Sequence, residues 1–145
     1  MVRHILPTLF ALATVLLLSG ATAGEGPADA RAKATLDRMQ GVWTEGKGED
    51  LLTVVVKGDR IKWHKQVLKV KIVRFDGDIA HTDAVVEEGP GKGETYTAIL
   101  CVGTETIHWC ITSDGERPTE FMTVPKGVTR YVAWKKVKEQ PAPVK

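Results

Sequence analysis

Leu52-Thr53-Val54-Val55-Val56-Lys57-Gly58-Asp59-Arg60-Ile61-Lys62-Trp63-His64 decides the fold. Leu52, Val54 and Val56 occupy alternate positions, and so do Ile61 and Trp63. Successive strand residues point to opposite faces, so this period of two marks strands with one apolar face. Lys57-Gly58-Asp59-Arg60 between them reads as a tight turn. The same unit recurs from Val42 onward. Leu68, Val70 and Ile72 alternate with Lys69 and Lys71. Thr82, Ala84 and Val86 follow a turn at Asp76-Gly77-Asp78. Tyr96, Ala98, Leu100 and Val102 follow the loop Gly89-Pro90-Gly91-Lys92-Gly93. Ile107, Trp109 and Ile111 follow a turn at Gly103-Thr104. Phe121–Val124 and Val128–Val137 read as the last two runs. Turns arrive about every ten residues, the spacing of an antiparallel sandwich or barrel. No helix-length apolar period interrupts the runs, which argues against a parallel α/β sheet.

The two ends read differently. Met1-Val2-Arg3-His4 is a short basic start, Ile5–Ser19 is almost wholly apolar, and Ala21-Thr22-Ala23 is a small-residue cleavage site. That order predicts a signal peptide over residues 1–23 and an exported protein, periplasmic or extracellular. The apolar run is shorter than the ~20 residues of a membrane span, and an uncleaved anchor is the rival reading. No cysteine follows Ser19-Gly20 to carry a lipid. Residues 24–29 read as a flexible leader. Ala28–Gln40, with Leu36 and Met39 at helical spacing, reads as a short helix ended by Gly41. The domain is then 30–138, and the proline-containing residues 139–145 read as a disordered tail.

The chain holds 20 Lys and Arg against 18 Asp and Glu, and only Arg3 lies in the removed segment. So even a balance argues against a nucleic-acid or general membrane-surface binder. The charges are nevertheless segregated. Lys57, Arg60, Lys62, Lys65, Lys69, Lys71 and Arg74 cluster, and Asp76, Asp78, Asp83, Glu87, Glu88 and Glu94 follow. A hairpin with Phe75 opposite Ile79 sets Lys71 opposite Asp83, Val70 opposite Ala84 and Leu68 opposite Val86. The cluster then reads as a solvated face with cross-strand ion pairs, or as a patch for an anionic ligand.

Cys101 and Cys110 are the only cysteines. A two-residue turn at Gly103-Thr104 places Cys101 opposite Thr106 and Cys110 opposite Thr97. Four positions at ~3.3 Å each separate the thiols by ~13 Å, beyond the ~7 Å reach of a disulfide. Two free thiols are expected, packed under the N-terminal helix. Cys101, His108 and Cys110 share a face, but no fourth ligand or metal-ligand spacing accompanies them, so no metal and no cofactor are expected. Catalysis lacks a residue set as well. Ser113 is the only serine after residue 23, and no Gly-x-Ser-x-Gly elbow or phosphate loop is present. Trp43, Trp63, Trp109 and Trp134 read as core or as cavity lining.

Met39-Gln40-Gly41-Val42-Trp43, Val56-Lys57-Gly58-Asp59, Glu88-Gly89-Pro90-Gly91-Lys92-Gly93 and Gly115-Glu116-Arg117-Pro118-Thr119-Glu120-Phe121 occur in that order, before a final Val-rich strand. The series resembles an exported domain family of unknown function abundant in planctomycete bacteria. It covers about 100 residues, and Arg-Pro-Thr-Glu-Phe is its most specific mark. That family generally carries a charged residue where Cys101 stands. More distantly, Gly41-Val42-Trp43 is similar to the Gly-x-Trp start of lipocalins, in which the tryptophan closes one barrel end and pairs with a basic residue of a late strand. Here that residue would be Arg130. The lipocalin disulfide pattern is absent.

The resemblance implies an all-β, antiparallel, lipocalin-like barrel of about eight or nine strands with a short N-terminal helix. The functional expectation is a non-catalytic module binding a small apolar or amphipathic ligand. The alternative is a protein-interaction or cell-envelope structural module with no internal ligand. Candidate ligand-binding residues are Trp43, Trp63, Trp109, Arg117, Glu120 and Arg130. Pro118 suits a strand start. Phe121 is then expected to point inward and Glu120 outward, toward Arg117, and the pair either fixes register or touches ligand.

Overall fold

A computed structural model describes residues 26–113, 115–124 and 128–138. The signal peptide expected at 1–23 and the tail at 139–145 lie outside them. Eight antiparallel strands close into one barrel in sequence order. They are β1 (Gly41–Glu45), β2 (Leu52–Lys57), β3 (Arg60–Trp63), β4 (Gln66–Asp76), β5 (Ile79–Glu88), β6 (Thr95–Val102), β7 (Thr106–Thr112) and β8 (Thr129–Lys136). Closure comes from Trp43 opposite Lys136 and Thr44 opposite Lys135. A lipocalin-like barrel is consistent with this topology.

The alternating residues face inward as the sequence requires. Val54, Val56, Ile61, Leu68, Val86 and Leu100 are buried, while Lys57, Lys62, Lys69 and Lys71 are exposed. Such burial stabilises by about 1.5–3 kcal/mol per large side chain. Three indoles fill the centre. Trp63, Trp109 and Trp134 stand 5.4–6.0 Å apart between ring centres, all tilted or edge-on, the geometry aromatic quadrupoles favour. Trp109 donates to Thr82 Oγ1 at 3.4 Å inside the core.

One barrel end is sealed by α1 (Pro27–Met39), whose first turn takes up Pro27–Asp29 of the expected leader. Gln40 Nε2 donates to Gly58 O at 2.9 Å and Gln40 Oε1 accepts from Gly58 N at 2.7 Å. Arg31 donates to Gly77 O at 2.5 Å, and Arg38 to Val102 O. The helix is therefore tied to three hairpin ends at once. Met39 is fully buried, and Trp43 Nε1 donates to its carbonyl at 2.7 Å.

Three sequence expectations change. The Asp76 turn has only two residues, Gly77 and Asp78, so Asp76 rather than Phe75 faces Ile79. A bulge between Ile72 and Arg74 absorbs the offset, and Lys71–Asp83, Val70–Ala84 and Leu68–Val86 pair as expected. The β6–β7 connection is longer than a two-residue turn, with Val102 opposite Ile107. Cys101 therefore faces His108, and Cys110 faces Ile99. Both thiols are free. Finally, Phe121–Val124 is not a strand. Residues 115–124 instead form a strap across the outside of the barrel.

The strap explains an anomaly of burial. Ile99 and Cys110 lie on the outward face of β6 and β7 yet are almost wholly buried. Cys110 Sγ lies 3.4 Å from Met122 O, so Cys110 sits beneath the strap and not beneath α1. Cys101 does border α1, in a groove with Ala34 and Arg38. Phe121 lies outside the barrel rather than in its interior, edge-on to His108 and Tyr131 on the outer wall, and His108 Nδ1 lies 2.6 Å from Tyr131 Oη.

Candidate functional site

Among the described residues, a concavity opens at the barrel end opposite α1. Its floor is Trp63, the last residue of β3, and Tyr96 and Ile111 form walls. Ser113, Val128 and Arg130 complete the rim around a concavity of about 180 Å³. Drug-sized pockets start at about 300 Å³. The mouth is therefore smaller than a drug-sized pocket.

Electrostatics at the mouth centre on Glu45. Its Oε2 accepts from Trp63 Nε1 at 2.6 Å and from Trp134 Nε1 at 3.2 Å. Its Oε1 accepts from Arg130 at 2.5 Å, and the carboxylate side chain is only 13% exposed. The Arg130 guanidinium also sits over the Trp63 ring, 4.9 Å from its centre. A nearly buried carboxylate persists where it is paired and hydrogen-bonded, and both conditions are met here. Arg130 presents further N–H donors beside an aromatic face, a combination that can hold a polar head and an apolar ring together.

The loops around the mouth are braced. Gln66 Nε2 donates to Pro90 O at 2.5 Å, and Tyr96 Oη donates to Glu94 at 3.1 Å. Gly89 has φ +93, and a Cβ there would lie 2.1 Å from Lys65 O. Only glycine lets the β5–β6 loop approach the β3–β4 turn so closely.

The six candidate residues separate. Trp63 and Arg130 meet at the mouth. Trp109 lies below it, fully buried in the indole cluster. Trp43 is at the sealed end, and the cation over its ring is Lys136 at 5.5 Å, not Arg130. β1 and β8 pair through Trp43 and Lys136, whereas Arg130 begins at the other end of β8. Arg117 is in the strap. It donates to Thr82 O at 2.5 Å and Ala98 O at 2.8 Å, and pairs with Asp83 at 2.5 Å. It thus points to the barrel wall and away from Glu120, which is exposed. Lys71 faces Asp83 in register, but Asp83 is occupied by Arg117.

Glu45 was missed by the sequence reading, although the signal was there. It is two residues beyond Trp43 on one strand, so a charged residue falls on the inward face. Other titratable groups sit under or near the strap. Burial lowers the His81 pKa, helped by Arg74 and Arg117 and opposed by Asp76, and its buried Nδ1 has no partner among the described residues. Burial pushes the Cys110 thiol up, against a smaller opposite effect of the Met122 carbonyl contact. Among the described residues no group of three or more His, Cys, Asp and Glu is placed to hold a metal, and no helix is long and apolar enough to cross a membrane.

No protein-family model, no curated protein and no solved structure gives a significant match to this chain.

Proposed function

We propose that this barrel is an exported, non-catalytic module that binds one small amphipathic ligand at its open mouth. The carrying observation is the Arg130–Trp63 stack held by Glu45 at the rim of an otherwise filled barrel. An apolar part of the ligand lies against Trp63 and Tyr96, and its polar head meets Arg130 and Ser113. The filled interior removes the deep cavity that a wholly enclosed ligand requires. Export rests on the basic, apolar and small-residue order of residues 1–23, and family membership on the Arg117–Phe121 signature. Absence of a nucleophile–base set in the sequence supports a non-catalytic role.

A protein-interaction or envelope-structural role is the second reading, favoured by that same filled interior. Native mass spectrometry of the domain after exposure to a cell-envelope extract separates the two. A single small-molecule adduct, lost in Arg130→Met, supports ligand binding. A clean apo mass with a retained protein partner supports the second reading.

A further inference from the structure

The outer face of β2–β4 lies opposite in character to the strapped face of β6 and β7. Lys57, Lys62, Lys69 and Lys71 are all exposed there. The register sets Lys57 opposite Arg60 and Arg60 opposite Lys69, a line of three cations across three strands. Like charges directly opposite repel. Arg60 is relieved by Glu87 at 2.7 Å and Asp59 at 3.1 Å. The four lysines form no ion pair among the described residues, and Asp83, the carboxylate opposite Lys71, is taken by Arg117. The even charge of the whole chain therefore averages over a face that is locally basic.

Apolar residues interleave with these cations. Val55 lies opposite Lys62 and also opposite Val42, and Val85 lies opposite Lys69. Val42, Val55 and Val85 are 42%, 36% and 39% exposed. We propose that this face docks on an anionic lipid bilayer, with the lysines on headgroup phosphates and the valines against the acyl boundary. Lysine suits the position, since its stem can lie along apolar surface while the ammonium reaches the charge. Each lysine near such a surface contributes a roughly fivefold gain in binding, and salt weakens it. A soluble polyanion needs the charges alone, whereas the interleaved valines gain only from an apolar boundary. This inference stands independently of ligand binding at the mouth.

Vesicle flotation tests it, using the chain from Gly24. That form contains every strand of the barrel and lacks the apolar Ile5–Ser19 run, which would bind lipid on its own. Expected is flotation with phosphatidylglycerol-containing vesicles, none with phosphatidylcholine alone, and loss as salt rises. Lys62→Ala with Lys69→Ala should weaken binding roughly 30-fold, while Lys62→Arg with Lys69→Arg keeps it. Val55→Ser with Val85→Ser should weaken vesicle binding but leave heparin binding unchanged. Equal flotation on neutral vesicles, undiminished binding of a folded double-alanine variant, or full binding by the valine variants would each overturn the proposal. The last result would indicate a soluble polyanion instead. Melting temperatures of all variants confirm that folded protein is compared.

Discussion

The guanidinium of Arg130 lies 4.9 Å from the centre of the Trp63 ring, and the Glu45 carboxylate binds both residues. Arg130 belongs to β8, Trp63 to β3 and Glu45 to β1, so one carboxylate ties β3 to the β1–β8 seam, with which it shares no backbone pairing. Replacing Glu45 by Ala strips two indole N–H groups and a guanidinium of their acceptor. The expected loss is about 3 kcal/mol, given about 1–3 kcal/mol for each buried group left unpaired. Glu45→Gln keeps an acceptor and should lose about 1 kcal/mol. Urea denaturation checks the order, and an alanine variant as stable as the glutamine variant would show that the carboxylate does not hold the mouth.

Arg117 pins the strap through two backbone carbonyls and Asp83. The ion pair is partly exposed, with side chains at 24% and 38%, so most of its value lies in the carbonyl bonds. Arg117→Ala should cost about 2 kcal/mol and speed thiol labelling of Cys110 in a Cys101→Ser background. Glu120→Ala, on an exposed residue, should change stability by less than about 0.5 kcal/mol. Equal effects at the two positions would contradict the anchoring role.

His81 gives the pH dependence. Its folded pKa is lowered, chiefly by burial, so the folded state binds the proton later than the unfolded state does. Its contribution is complete above the unfolded value of about 6.5 and drains away as pH falls below it. Stability followed by denaturation should therefore drop on acidification. His81→Leu should flatten that slope while costing little at pH 8, because the buried Nδ1 has no partner to lose. A slope unchanged in the variant would assign the acid sensitivity elsewhere.

Gly89 and Gly93 form a matched pair, with φ +93 and +92. A Cβ at Gly93 meets nothing within 4 Å, whereas one at Gly89 meets Lys65 O at 2.1 Å. Gly93→Ala should cost about 1 kcal/mol from backbone conformation alone. Gly89→Ala should cost about 3 kcal/mol or more and loosen the mouth. Equal melting temperatures would place the β5–β6 loop away from the β3–β4 turn.

Barrel architecture was legible because alternation is a local property. Val54, Val56, Ile61 and Trp63 announce their faces before any partner is known. Turn lengths were less legible, since Gly77-Asp78 and the β6–β7 connection can each close in more than one register. The bulge at Val73 then hid one error from the Lys71–Asp83 pairing. The strap escaped because β-like composition at Phe121–Val124 does not tell a strand from a segment docked on a sheet. Its anchor is a side chain, Arg117, reaching backbone carbonyls far away in sequence. At the mouth, Trp63 and Arg130 were named separately, but their meeting depends on barrel closure. Glu45 had an inward position that its place two residues after Trp43 on β1 revealed.

The indole N–H resonances of the four tryptophans test the central claim most directly. Spectra of the domain would be compared before and after exposure to a small-molecule extract of the cell envelope. Ligand at the mouth should move the Trp63 and Trp134 signals, whose N–H groups share Glu45, and leave Trp43 at the sealed end in place. Four unmoved resonances, or a shift confined to Trp43, would contradict a binding mouth built on Trp63 and Arg130.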